Sequence, residues 1–202
     1  MSDTVQQWPT AVEIATESLR LEPLRAAHAA ESFELFDDVL LHAWTGGEPL
    51  ARDELRARYR RLAAGRSPDG TQGWLNWMLR RTADGLLVGT VQATLERTAD
   101  GRLAAELAWV VGTAHQGRGH AREGALAMAR WLREQRVDVL LAHVHPGHAA
   151  SAGVARALGL APTGTVVDGE VRWSSDASDG SGSDGGGSGG TAGSGGPGRP
   201  SR

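Results

Sequence analysis

Residues Glu106 to Leu132 read ELAWVVGTAHQGRGHAREGALAMARWL. The apolar run from Ala104 to Val111 predicts a strand. Gly112 to Gly119 predicts a turn, and His120 to Gln135 a helix with Ala121, Ala125, Met128 and Leu132 on one face. Between strand and helix lie Gly117 and Gly119, flanked by Arg118 and Arg122. The first amides of a helix lack intrahelical acceptors, and the helix dipole adds partial positive charge to them. Glycines let a ligand approach the backbone. The stretch therefore has the chemistry of a phosphate or pyrophosphate cradle, which the two arginines would reinforce with charge-assisted bonds.

Two familiar phosphate loops do not fit. A Walker loop needs a lysine after its last glycine, and all 21 basic residues of this chain are arginine. The dinucleotide fingerprint G-x-G-x-x-G breaks at Arg122, which stands in place of the third glycine. What matches is Gln116-x-x-Gly119-x-Ala121, the Q/R-x-x-G-x-G/A signature, and on it the chain resembles the GNAT superfamily of acyl-CoA-dependent N-acetyltransferases. The preceding strand, the following helix and the next strand–helix pair fall in that family's order.

The 202 residues suit one domain plus a tail. A net charge of -3 leaves no basic footprint for nucleic acid. With no cysteine, disulfides, thiolate metal sites and a cysteine nucleophile are excluded, in keeping with a reducing cytoplasm. MSDTVQQWPT lacks a basic and apolar leader pattern, and no apolar run approaches the roughly 20 residues that span a bilayer. The expectation is a cytoplasmic protein, monomer or homodimer, without nucleic-acid or membrane partners.

Residues 1–16 form a polar lead. A short strand is expected in SLRLEPL, Ser18 to Leu24, and a helix from Arg25 to Leu41 with Ala26, Ala29, Ala30, Phe33, Phe36 and Leu40 on one side. TGGEP, residues 45–49, reads as a turn, and Ala51 to Ala64 as an Arg-rich helix striped by Leu55, Tyr59 and Leu62. Strands at Trp74–Thr82, Leu86–Arg97 and Arg102–Val111 are separated by Asp84-Gly85 and Asp100-Gly101, which predict an antiparallel meander. A strand at Val137–Val144, a helix at Ala149–Leu158 and a pair turning on Asp168-Gly169 complete the order. From Asp176 the chain is Gly, Ser and Asp without bulky apolar residues, and residues 175–202 are expected to be a disordered tail. The fold expected is mixed α/β, a mostly antiparallel sheet flanked by helices in the order β-α-α-β-β-β-α-β-α-β. The resemblance covers residues 17–174.

The resemblance implies that acetyl-CoA is the cosubstrate and lies where the strand around Trp109 diverges from the one around Ala142. Backbone groups of Trp109, Val110 and Val111 would hold the pantetheine arm. Gln116, Gly117, Arg118, Gly119, His120, Ala121 and Arg122 would hold the pyrophosphate. The expected activity is transfer of acetyl from acetyl-CoA to a primary amine, either a protein N-terminus or a small amine. Such a reaction must take a proton from the amine and can supply one to the thiolate.

Glu106 lies mid-strand among Ala104, Ala108 and Val110, where a carboxylate is costly unless paired or used. It opens the run Glu106-Leu107-Ala108-Trp109, similar to the E-[LI]-[GA]-[YW] run of the branch resembling RimJ and RimL, which implies a general base. The alternative is a strand carboxylate paired with an arginine. Ser151 matches the serine of that branch's N-x-x-S pattern and is implied as general acid. Its alternative is a first-turn residue satisfying backbone amides. His148 replaces the asparagine, and its imidazole can still donate a bond toward the cofactor.

His143, His145 and His148 lack a carboxylate or thiolate in the same segment, so no metal is expected. His145 could instead assist proton transfer. Trp44, Trp74 and Trp77 fall where the family builds its acceptor wall, with Trp44 and Trp77 as acceptor-binding candidates. Glu123 is expected to cap or brace the central helix. The alternative to an enzyme is a non-catalytic acyl-CoA-binding module, motivated by the histidine at 148. A purely structural domain would bind no CoA.

Overall fold

The computed structural model describes residues 8–41 and 48–176. Of the expected disordered tail, residues 177–202 lie outside the described residues, as do the Trp44 candidate and most of the TGGEP turn; Ser175 exchanges bonds with Leu140, and Asp176 pairs with Arg102. Eight strands form one sheet in the order β1-β2-β3-β4-β5-β6-β8-β7. They are β1 (Ile14–Ala15), β2 (Leu19–Pro23), β3 (Gly73–Arg81), β4 (Leu87–Arg97), β5 (Leu103–Val111), β6 (Val139–Val144), β7 (Ala161–Val167) and β8 (Glu170–Ser174). Every neighbouring pair is antiparallel except β5–β6. The meander β3–β4–β5 turns at Gly85 and Gly101, whose φ values of 74° and 85° favour glycine. Asp168 and Gly169, at φ 52° and 82°, make the tight β7–β8 turn.

Helices cover both faces. α1 (His28–Phe36) and α2 (Arg52–Leu62) pack on one side; α3 (His120–Glu134) and α4 (Ala149–Ala157) pack on the other. The alternation along β5 decides what each face receives. Leu103, Ala105, Leu107 and Val111 join Ala125, Met128 and Leu132 of α3 in the main core. Ala104, Glu106, Ala108 and Val110 point the other way, as a two-residue period requires. A second cluster under α1 and α2 holds Leu24, Leu55, Tyr59, Leu62 and Met78.

Two expectations are corrected. The first helix does not run to Leu41: its backbone leaves the helical region at Asp37 (ψ 55°), the periodicity loses phase, and Leu40 is 67% exposed. The polar lead also contributes more than expected. It supplies β1, and Val12 accepts a 2.7 Å bond from the Trp77 indole. The anticipated bracing role of Glu123 takes a specific form: its carboxylate receives the Ser18 amide at 2.8 Å and the Thr16 and Ser18 hydroxyls at 2.6 Å each. This pins the β1–β2 turn to the first turn of α3.

Candidate active site

The site begins where two parallel strands part. β5 and β6 are paired from Ala104–Val139 to Leu107–Ala142, and there the ladder ends. β6 continues against β8, while Ala108 to Val111 stays paired to β4 alone. A V-shaped opening with unpaired β5 backbone results. It forms a cleft of about 410 Å³ lined by Trp109, Val110 and Val111 at its root. Gln116, Gly117, Gly119, His120, Ala121 and Arg122 line one end; His143, His145, His148, Ser151 and Glu170 line another part of the wall.

The glycine loop has the backbone the sequence requires. Gly117 and Gly119 take φ of 74° and 83°, and a Cβ on either would project into open space. The Gln116 side-chain amide donates to the Val111 carbonyl at 3.0 Å, folding the loop back onto the end of β5. Gln116 thus shapes the cradle with its side chain. The first capping bond of α3 is donated by Glu123 to the Gly119 carbonyl, and no amide from Gly117 to Arg122 has an acceptor among the loop and cap bonds of the described residues. His120 is buried, and both of its ring nitrogens lack partners; His115 Nδ1 is also unpartnered. Burial, then Arg81, hold the pKa of His120 below that of an ordinary imidazole. Unsatisfied amides and buried polar nitrogens at a helix N-terminus fit an anion of the pyrophosphate type. Arg122 lines this end, whereas Arg118 is exposed and stands outside the lining.

Another part of the wall carries the candidate proton-transfer groups. The Trp109 indole donates to Ser151 Oγ at 3.1 Å, so the serine accepts from the indole and keeps its own proton available to donate. The Ser151 amide donates to His148 Nδ1 at 3.3 Å, making His148 the cap of α4. A capping asparagine would accept the same bond. With Nδ1 accepting, the neutral ring carries its proton on Nε2. Burial depresses the pKa of His148, with a smaller contribution from His145, which agrees with that neutral form.

Glu106 meets a histidine. His143 Nδ1 lies 3.1 Å from Glu106 Oε1, and the two side chains are 8% and 35% exposed. They share a sheet face because Glu106 is level with Leu141 in the parallel register, one side-chain repeat before His143. His143 lines the cleft, and Glu106 meets its ring from the neighbouring strand.

His145 follows the end of β6 and is exposed at the cleft, its Nδ1 accepting the Gly147 amide across a turn. Trp77 is fully buried, bonded to Val12 and edge-on to Trp131 at 5.5 Å, so it offers no surface to an acceptor. Its inward phase on β3 follows from alternation with Trp74, which lines a separate groove beside Trp8 and Asn76. Sequence reasoning missed His143 as the partner of Glu106 and Glu170 as a cleft carboxylate. The only sequence signal for Glu170 was its position just after the Asp168-Gly169 turn. Among the described residues, no group of three or more His, Asp or Glu side chains could hold a metal ion.

The sequence model described as Acetyltransferase (GNAT) domain matches residues 18–161. Comparison with curated proteins gives no match. Among solved structures, the chain is similar to an acetyltransferase from Agrobacterium tumefaciens, at 23% identity and a TM-score of 0.60, over 84% of this chain and 96% of that one. It is similar to RimL, a ribosomal L7/L12 alpha-N-protein acetyltransferase, at 15% identity and 0.63, over 81% and 93%. It is also similar to the microcin C7 self-immunity acetyltransferase MccE in complex with acetyl-CoA and AMP, at 11% identity and 0.64, over 79% and 92%. At these identities the likeness is one of fold.

Proposed function

The chain belongs to the GNAT acetyltransferase family, and from that premise we propose that it transfers acetyl from acetyl-CoA to a primary amine, with Glu106 as general base and Ser151 as general acid. The observation that carries this reading is the shared cleft: an amide-rich cradle at one end, and at the other a serine hydroxyl oriented by the Trp109 indole. Bound acetyl-CoA supplies the thioester. The loop from Gln116 to Arg122 binds its pyrophosphate through backbone amides. Trp109, Val110 and Val111 hold the pantetheine arm along the unpaired edge of β5, and His148 donates toward it through Nε2. Ser151 gives its hydroxyl proton to the sulfur as the C–S bond breaks and the N–C bond forms, then regains a proton from solvent. The amine's proton leaves toward Glu106.

The acceptor is a protein α-amine or a small amine. The fold shared with RimL, which acts on a protein α-amine, supports the first. The acceptor approaches from the side of His143 and Glu170, away from the cradle. Glu170 is a second candidate for the base, because its side of the cleft also holds Ser151. Assay of CoA release with a serine-initiated peptide tests the assignment. Ser151→Ala is expected to lower kcat by about 10²-fold while acetyl-CoA binding persists. Unchanged turnover in both Ser151→Ala and Glu106→Gln would remove both residues from the mechanism.

A further inference from the structure

We propose that the groove beside Trp8 and Trp74 is a second ligand site, one that takes a small planar anion of the aromatic carboxylate class. Its volume is about 720 Å³, inside the roughly 300–1,000 Å³ of small-molecule sites. It shares no lining residue with the cleft between β5 and β6. The groove exists because β2 stops short. Pro23, opposite Trp77, is the last residue of β2 paired to β3. The Leu24 amide then donates to the Asn76 carbonyl at 2.9 Å, and the chain turns away into α1. The start of β3 is left without a strand of the sheet on that side, and the Trp74 amide donates instead to the Gly65 carbonyl at 2.8 Å. The end of α2, the residues after it and the lead at residues 8–11 close around the gap.

Three observations set its chemistry. Asn76 lines the groove, is 7% exposed, and its side-chain amide has no hydrogen-bond partner among the described residues. Alternation puts it there. Leu75, Trp77 and Leu79 enter the main core, Trp74 and Met78 the cluster under α1 and α2, and Asn76 faces the second side with them. An amide buried to that degree takes its hydrogen bonds from whatever fills the groove, and it offers both a donor and an acceptor. Arg66 is the one charged residue of the described lining; it is exposed and makes no ion pair among the described residues. A guanidinium is a planar fork that fits a carboxylate with two bonds. Two indoles supply apolar aromatic surface, and both are held in place. Trp8 donates to the Gly70 carbonyl at 3.1 Å and lies so close to Gly73 that a Cβ there would come within 2.8 Å of the ring. Trp74 donates to Gln72 Oε1 at 3.3 Å. An unpaired cation, an unpaired buried amide and two fixed indoles together select a flat ligand with a negatively charged edge.

The test titrates naphthalene-2-carboxylate and its neutral carboxamide into the full chain, with and without excess acetyl-CoA, by calorimetry and nitrogen-15 spectra. The carboxylate should bind with a Kd on the order of 1 mM or tighter. It should bind about tenfold more tightly than the carboxamide, and to the same extent with acetyl-CoA present. It should move the Asn76 side-chain amide and the Trp8 and Trp74 indole resonances and leave that of Trp109, in the other cleft, in place. Arg66→Gln, at an exposed position, should keep the fold and abolish the preference for the carboxylate. Asn76→Ala should weaken both probes by about fivefold. Equal affinity of the wild type for the two probes, or no saturable binding of either, overturns the proposal. Displacement of the carboxylate by acetyl-CoA overturns it too, by placing the probe in the other cleft. Contacts between the Asn76 amide and residues 1–7 in the free protein would assign the groove to the chain's own N-terminus, and a dimer dispersed by the carboxylate would assign it to a second copy; either result overturns it.

Discussion

At the scale of single residues, His148 shows how a departure from a family pattern can keep its physics. The position must cap α4 by accepting the Ser151 amide, and an imidazole nitrogen does this as an amide oxygen would. His148→Asn should therefore leave stability nearly unchanged, while His148→Ala should cost about 1 kcal/mol. Urea unfolding of the three proteins checks this; an alanine variant as stable as wild type would show that the cap contributes nothing. The residue scale is also where the sequence was least legible. Glu106 stood out because an isolated carboxylate in an apolar strand needs a partner, but the partner's identity depends on the relative register of β5 and β6. That register is set by packing across 35 and more residues of chain, and nothing local to Glu106 encodes it. Trp77 illustrates the same limit, since its burial follows from which face of β3 meets α3.

At the scale of elements, the signals were strong and most bounds agree within two residues. The meander, α3, β6 and α4 each carry a regular apolar period with glycine or Asp-Gly punctuation. The first helix fails where its period fails, at Asp37. The extra strand β1 was not legible because two residues are too few to display alternation. The parting of β5 and β6 depends on elements staying close elsewhere, and Gly89 serves that need on the other side of β5. A Cβ there would sit 2.3 Å from the Val110 carbonyl oxygen and 3.0 Å from the Val111 Cα. These are backbone atoms that cannot rotate aside. Gly89→Ala should destabilise the fold by about 1–3 kcal/mol and, on the proposed function, weaken acetyl-CoA binding, because the shifted backbone is the proposed pantetheine wall. Thermal unfolding and calorimetric titration measure the two effects, and an alanine variant with both unchanged would contradict the close β4–β5 approach.

At the scale of the whole molecule, buried titratable groups tie the fold to pH. Burial depresses His28, His115, His120 and His148 below an ordinary imidazole. Burial alone would raise the carboxyls of Glu22 and Glu123, but the bonds from Arg80 and Arg20 to the first, and from Ser18 and Thr16 to the second, outweigh it and hold both below the usual range. For every one of these groups the folded state takes up its proton less readily than the unfolded chain. Their stabilisation is therefore complete above the unfolded pKa and lost as pH falls through the folded one. Tm should be level from about pH 7.5 to 9, decline below about 6.5 as the imidazoles of the unfolded chain protonate, and fall more steeply below about 4.5 as its carboxyls do. A Tm constant from pH 7.5 to 4 would contradict this set of shifts.

We propose that the parting of β5 and β6, together with the glycine loop, forms a site for acetyl-CoA. The direct measurement is Tm with and without acetyl-CoA. A ligand at a hundred times its Kd stabilises by about 2.7 kcal/mol, a rise of several degrees for a domain of this size. The wild type should show that rise and Gly119→Val should lose it, because a branched side chain there must adopt positive φ at the mouth of the cradle. No rise at millimolar acetyl-CoA would contradict it, leaving the loop as a turn and a helix cap.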